Sequence, residues 1–292
     1  MQQDGMTRHG LLTITPPGTR YIIAACLAWS ALTFPRFLHA AEFVAPYVNT
    51  VEEDVTLMLD LAEVGPDDYL IDLGAGDGRI VIEAARRGAR GHGVELDPDL
   101  VALAESRASK AGVSDRAAFR HGDIFAADIS RATVVTAYLF PEANLQLRPK
   151  LLTELAPGSR VVSNAFDMGD WLPDAHAYGR TSGGSMLWVV PARIHGTWTI
   201  DMDGRRFRLD LQQRYQALSA RLLEGEQELD VLEARISGAA FSLMATNGDQ
   251  RIAFNGSAGS DGISGSAVTA PADVESAERS ERLEWHARRT GP

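Results

Sequence analysis

Two periodicities divide the chain. Up to about residue 191, short apolar runs alternate with stretches of helical spacing, and from Ala192 onward apolar and polar residues alternate one by one. In the first part Leu70, Ile71 and Leu73 form the compact apolar run of a buried parallel strand. Residues 80–87 have helical composition with Gly88 as a stop, and 91–96 form a second strand. The pattern goes on with a helix over 98–111 carrying an apolar stripe at Leu100, Val101 and Leu103, then a third strand over 117–120. A fourth strand is predicted over 133–140, a helix over 151–155, and further strands over 160–165 and 185–190. Upstream, residues 51–64 read as a helix with Val51, Val55, Met58, Leu59 and Leu61 on its apolar face, and Thr50 with Glu53 as a capping box. Strands alternating with helices predict an α/β domain built on a Rossmann-like doubly wound sheet.

The second part predicts a different architecture. Trp198, Ile200 and Met202, then Phe207, Leu209 and Leu211, Phe241 and Leu243, and Ile252 and Phe254 alternate with polar residues. Asp203-Gly204, Asn247-Gly248 and Asp261-Gly262 are hairpin turns between such runs. A small antiparallel β-barrel or sandwich of about six to eight strands follows. Residues 270–282 read as a polar loop and 283–288, with Trp285, as a closing strand. The chain thus divides into a leader over 1–41, an α/β domain over 42–191 and a β domain over 192–292.

Candidate chemistry gathers in the first crossover. Gly74, Gly76 and Gly78 follow the first strand directly, where the backbone must bend sharply and let a ligand approach with no Cβ in the way. A dinucleotide fingerprint would place its third glycine at position 79, which is Arg79. Asp72 precedes the turn and Asp77 lies within it. Carboxylates there would repel a pyrophosphate, whereas S-adenosylmethionine carries an ammonium and a sulfonium and no phosphate. Glu95 ends the second strand about twenty residues after the first glycine, the position from which an acid accepts hydrogen bonds from a ribose diol. Asp123, at the end of the third strand, can accept from an adenine amine while Ile124 packs on the ring, with a turn-capping aspartate as the alternative.

DLGAGDGR at 72–79, GVELD at 93–97 and HGDIF at 121–125 resemble the three cofactor motifs of class I S-adenosylmethionine-dependent methyltransferases. GDGR and AYLFPEANLQLRPKL at 137–151 resemble more narrowly the small seven-strand protein-lysine methyltransferases and their bacterial relatives. The resemblance spans about residues 45–190 and implies S-adenosylmethionine held by Asp72, Gly74, Gly76, Asp77, Gly78, Glu95, Asp123 and Ile124. It also implies that the segment before the first helix, with Tyr47, Asn49 and Thr50, covers the methionine end of the cofactor. The tip of the fourth strand should face the transferred methyl group. No Asn/Asp-Pro-Pro-aromatic tetrapeptide stands there, which argues against methylation of DNA adenine or glutamine. Tyr138 and Glu142 are the substrate-side candidates, Asn144 a weaker one, each with a structural role as its alternative. Asp167, Asp170 and Trp171 lie in a loop that could close over the pocket. The acceptor class stays open between a protein amine and a small molecule. A non-catalytic scaffold that keeps the fold is the alternative of a different kind.

A net charge of -11 argues against a nucleic-acid partner, and the seven histidines are dispersed without metal-ligand spacing, so no metal is expected. No G-x-S-x-G elbow or phosphate-binding P-loop occurs. Arg8 and Arg20, an apolar run over 21–34, and Leu38-His39-Ala40 before Ala41 read as a secretory leader, too short to span a bilayer comfortably. Cleavage there removes Cys26, the one cysteine, and leaves no stable transmembrane span in the mature chain. The expected location is periplasmic or secreted, with cytoplasmic or membrane-tethered as alternatives.

Overall fold

A computed structural model describes residues 50–181, 183–272 and 280–291. The leader expected over 1–41, and Tyr47 and Asn49, lie outside the described residues.

Seven strands form the first sheet: β1 (Tyr69–Leu73), β2 (Arg90–Glu95), β3 (Ala117–His121), β4 (Val134–Ala137), β5 (Arg160–Asn164), β6 (Ala175–Ala177) and β7 (Ser185–Val189). Their spatial order is β3-β2-β1-β4-β5-β7-β6. β1 to β5 pair in parallel, and β7 runs antiparallel between β5 and β6. Strand order reverses between β1 and β4, so a crevice opens at their carboxyl ends, where open α/β sheets bind ligands. Among the described residues four helices flank the sheet: α1 (Glu52–Leu61), α2 (Arg79–Arg86), α3 (Pro98–Lys110) and α4 (Pro141–Glu154). One apolar layer gathers Met58, Leu59, Leu70, Val81 and Ala104, the other Ile71, Leu73, Leu147, Val161, Trp171 and Trp188.

Several local expectations are corrected. The N-cap of α1 is Val51, with no side-chain cap bond, so the predicted capping box is not formed. Val51 is exposed, and the buried face is carried by Val55, Met58, Leu59 and Ala62. On α3, Leu103 is exposed while Ala104 and Ala108 are buried. Small side chains are required there because the helix packs against the glycine turn: a Cβ on Gly78 would lie 2.8 Å from the Ala104 Cβ. β4 stops at Ala137, three residues early, because Pro141 opens α4 at a position where its missing N–H costs nothing. Pro149 inside α4 hid that helix from the sequence, where only its last turn over 151–155 was readable.

The remaining strands are β8 (Gly196–Met202), β9 (Arg205–Arg214), β10 (Ala217–Glu224), β11 (Gln227–Ser237), β12 (Ala240–Thr246), β13 (Gln250–Gly259), β14 (Gly262–Pro271) and β15 (Glu281–Gly291). β15 pairs with both β14 and β8, so they close into a barrel rather than a sandwich. β10 and β11 escaped the alternation because a register shift breaks their pairing between Ala217 and Leu222, and another breaks β11 against β12 between Val231 and Glu233. Asp203 and Gly204 both take positive φ, 43° and 75°, as the tight turn between β8 and β9 requires. The barrel interior is filled by side chains: Phe254 meets Phe207 and Trp285 edge to face, with ring centroids 5.7 and 5.5 Å apart. Among the described residues no helix is long and apolar enough to cross a membrane.

Phe254→Ala removes the hub of that aromatic trio, and we expect it to lower unfolding stability by about 3–5 kcal/mol, measured by urea denaturation.

Candidate active site

The glycine turn is fixed by close packing. Gly74, Gly76 and Gly78 adopt φ of 87°, 53° and 80°, the left-handed region that disfavours a side chain. Gly74 and Ala75 both donate their N–H to the Val94 carbonyl, at 2.9 and 3.0 Å. A Cβ on Gly78 would lie 2.6 Å from the Phe119 ring, and one on Gly93 would lie 2.3 Å from the Ala75 Cβ. Gly93 therefore belongs to the site, because β2 must leave room for the turn to fold against it. In the sequence Gly93 stands within GVELD with no local signal of this role.

Glu95 closes onto this turn. Its Oε2 accepts from the Gly76 N–H at 2.8 Å, and its Oε1 accepts from the Leu96 and Asp97 N–H groups at 2.8 and 3.0 Å. Asp72 is buried, and its Oδ1 accepts from the Thr136 hydroxyl at 2.8 Å. Burial pushes the Asp72 carboxyl up to about 7; the Thr136 hydrogen bond works against that shift, and the neighbouring Glu95 and Asp77 charges add to it. A buried acid balanced near neutrality in a crevice is a mark of a functional position.

Asp77 is arranged differently from the expectation of a carboxylate open to a ligand. It is buried between two guanidiniums: Arg79 engages it through Nε at 2.9 Å and Nη2 at 2.6 Å, and Arg107 forms a second ion pair. Its charge is thereby balanced, and the acidity of the crevice rests on Asp72 and Glu95. Arg79 also donates to the Thr50 carbonyl at 2.5 Å, so Asp77, Arg79 and Thr50 tie the entrance of α1 to the turn.

Asp123 is exposed just beyond β3, where its Oδ1 accepts from the Phe125 N–H at 2.9 Å, a local turn; Ile124 packs partly into the core beneath. The Gly122 N–H donates to the Glu95 carbonyl at 2.9 Å, which keeps the ends of β2 and β3 side by side.

On the other side of the crevice, Tyr138 is half-buried and its ring lies 6.5 Å from Phe166, which lies 6.1 Å from Phe140. Glu142 is exposed in the first turn of α4. Asn144 faces inward: its amide nitrogen lies 3.0 Å from the Ser163 hydroxyl and 3.2 and 3.3 Å from the Phe166 and Asp167 carbonyls. It holds the loop after β5. Phe166 itself carried no signal in the sequence, and it is presented by Ala165, a non-glycine residue at φ 68°. Strain of this kind concentrates where a site requires it.

The loop expected to close over the pocket is anchored. Trp171 is fully buried, and Asp170 is held by Arg148, Arg214 and Tyr215. A wall that the sequence did not indicate comes from Asp54 on α1. It is buried, and its carboxylate accepts from the Arg180 N–H at 2.7 Å, the Thr181 N–H at 2.9 Å and the Thr181 hydroxyl, fixing the connection from β6 to β7. Burial opposes its charge, and the bonds from Thr181 and Arg180 outweigh burial and lower its pKa. Its one sequence signal is an acid next to the apolar Val55 of a helix. Among the described residues no three acidic, histidine or cysteine side chains are placed to hold a metal.

Comparison with known proteins finds methyltransferases. The family described as the ANTKMT methyltransferase domain matches residues 72–175. The chain is 45% identical over 130 residues to a protein-lysine N-methyltransferase of Saccharolobus islandicus, covering 44% of this chain and 81% of that protein. It is 35% identical over 192 residues to the adenine nucleotide translocase lysine N-methyltransferase of Mus musculus, covering 65% of this chain and 81% of that protein. A solved structure of an RNA methyltransferase from Salinibacter ruber in complex with S-adenosyl-L-homocysteine is 53% identical, covering 50% of this chain and 96% of that chain, with a TM-score of 0.49.

Asp72 gives the fold a pH signature. Between the ordinary carboxylate range and about 7 the folded chain keeps a proton that the unfolded chain has lost, so stability falls as pH rises through that window. Asp72→Asn keeps an acceptor for Thr136 and removes the charge. We expect it to flatten the dependence between pH 4 and 7 and to be more stable than the parent at pH 8, by on the order of 4 kcal/mol at most, measured by urea denaturation at several pH values.

Proposed function

This chain belongs to the S-adenosylmethionine-dependent methyltransferases, in the group of the protein-lysine N-methyltransferases, and from that premise we propose that it methylates the side-chain amine of a lysine on a protein. The single observation that carries the reading is the pair of carboxylates, Asp72 and Glu95, at the carboxyl ends of β1 and β2 beside a turn with no room for a Cβ. A cationic cofactor fits this arrangement, because its charge favours ionised Asp72, whereas a phosphate would meet two acids.

Bound there, S-adenosylmethionine supplies a methyl group activated by its sulfonium. In this reading Asp72 faces the cationic end, Glu95 offers the ribose diol the acceptor site left on Oε2, and Asp123 and Ile124 stand at the adenine end. Tyr138, Phe140 and Phe166 form an aromatic wall that guides the acceptor amine and excludes water, so that alignment supplies most of the rate. Glu142, exposed at the start of α4, attracts and orients the ammonium before it loses its proton. The lysine acceptor is supported by the names of the two relatives.

We propose in addition that the mature protein is periplasmic or secreted. Support comes from the basic, apolar and small-residue succession over residues 8–41.

Titration calorimetry with S-adenosylmethionine is expected to give saturable binding, weakened at least about tenfold in Glu95→Ala, with no heat from NAD; binding of NAD alone would overturn the reading. Affinity is expected to increase with pH through about 7 as Asp72 ionises, and to lose that dependence in Asp72→Asn. Cell fractionation with N-terminal sequencing is expected to find a periplasmic or secreted form beginning at Ala41; a chain that keeps its first residues in the cytoplasm defeats the export proposal.

A further inference from the structure

The barrel lies outside the region matched by the family, residues 72–175. One of its turns nevertheless reaches the acceptor side. Between β9 and β10 the chain reverses at Arg214, Tyr215 and Gln216, with Tyr215 in the left-handed region at φ 55°. The Tyr215 ring stacks on buried Trp171, with centroids 6.0 Å apart and planes 25° apart. Its hydroxyl donates to Asp170 Oδ1 at 3.1 Å, Arg214 pairs with the other oxygen of Asp170, and Gln216 Nε2 donates to the Leu172 carbonyl at 2.6 Å.

What these three residues grip is a rigid turn leading straight to the aromatic wall. Met168 and Trp171 form a bridge, the Gly169 N–H donates to Asp167 Oδ1 at 2.9 Å, and Arg148 of α4 donates to the Met168 carbonyl at 2.7 Å. The near end is set by Ser163 and Asn144, both bonded to the Phe166 carbonyl. The far end is held by Trp188, whose Nε1 donates to the Trp171 carbonyl at 2.7 Å, by Arg148 on Asp170, and by the barrel. Arg214 is 74% exposed and Asp170 46% exposed, so their ion pair is screened by solvent and contributes little alone. Stacking on fully buried Trp171 is the dominant contact.

We propose that the β9–β10 turn of the barrel is a positioning element for the acceptor side, with Tyr215 holding the turn over residues 166–172 and thereby the Phe166 ring in register with Tyr138 and Phe140. The placement stands on contacts alone; its effect on catalysis rests on the methyl-transfer reading above. A barrel that were only an appended module would leave the wall unchanged when this turn is altered.

The test uses the full chain with Tyr215→Ala, Tyr215→Phe and Tyr215→Leu. Tyr215→Ala is expected to raise hydrogen exchange over residues 166–172 about tenfold or more, leaving the glycine turn 74–78 and S-adenosylmethionine affinity within about twofold of the parent. Transfer of labelled methyl to poly-L-lysine is expected to show KM raised at least about fivefold, with Tyr215→Phe close to the parent because the stacked ring remains. Unchanged exchange over 166–172 in Tyr215→Ala overturns the proposal. If that variant unfolds throughout, Tyr215→Leu, which keeps apolar bulk but removes the ring stacked on Trp171, decides by the same exchange measurement, a local rise supporting the proposal and none overturning it. A parent that gives no transfer to poly-L-lysine counts against the lysine reading, and the exchange result still decides the positioning role.

Discussion

The constraint on which the rest of the α/β domain depends is the absence of space at the first crossover. Three residues of the turn have backbone conformations that disfavour side chains, and Phe119, Ala104 and Leu139 stand where a Cβ on Gly78 or Gly74 would go. Neighbouring choices follow from this. Gly93 on β2 carries no side chain so that Ala75 can settle against it, and α3 presents alanines where a larger residue would push the helix off the turn. The resulting bed brings the Gly76 N–H to Glu95 and leaves the carboxyl ends of β1 and β4 open as a crevice.

Three acids in this small volume are treated in three ways, and the differences separate scaffold from site. Asp77 is buried with two arginines, so its charge is matched and it serves to lock α2, α3 and the entrance of α1 together. Glu95 is half-buried and takes backbone N–H donors on both oxygens, which fixes its direction. Asp72 is buried with a single hydroxyl donor and two like charges nearby, an arrangement that destabilises the fold at neutral pH. A core leucine or asparagine would suit the fold better. Retaining an acid there is intelligible when a cation is to be bound beside it.

The aromatic side of the crevice is held from distant parts of the chain. The aromatic wall hangs on a loop whose first residue, Ala165, is strained and whose ends are held from α4 and from the barrel. α1 adds a further restraint through Asp54, which bonds the connection between β6 and β7. Such a wall is rigid only while its supports are in place. The barrel is thereby integrated with the α/β domain, although its own core is separate.

By itself the sequence determined the elements whose signals are local. Apolar runs followed by glycines located β1, β2 and the turn between them, and strict alternation located most of the barrel, because strand period and glycine conformation are properties of short segments. It also placed Asp72, Glu95 and Asp123 at strand ends, since connectivity in a doubly wound sheet fixes which loops share an edge. Tertiary structure alone decided what depends on partners far along the chain. The two arginines that neutralise Asp77 include Arg107, thirty positions away, and Trp171 and Asp170 are anchored from β7, from α4 and from the barrel. Phe166 became part of the wall because Asn144 and Ser163 bind its carbonyl, and β10 and β11 were obscured by register shifts visible only once their neighbours pair. Local sequence carries the conformational preference of a segment; the charge state, burial and direction of a side chain are set by the surroundings that the fold brings to it.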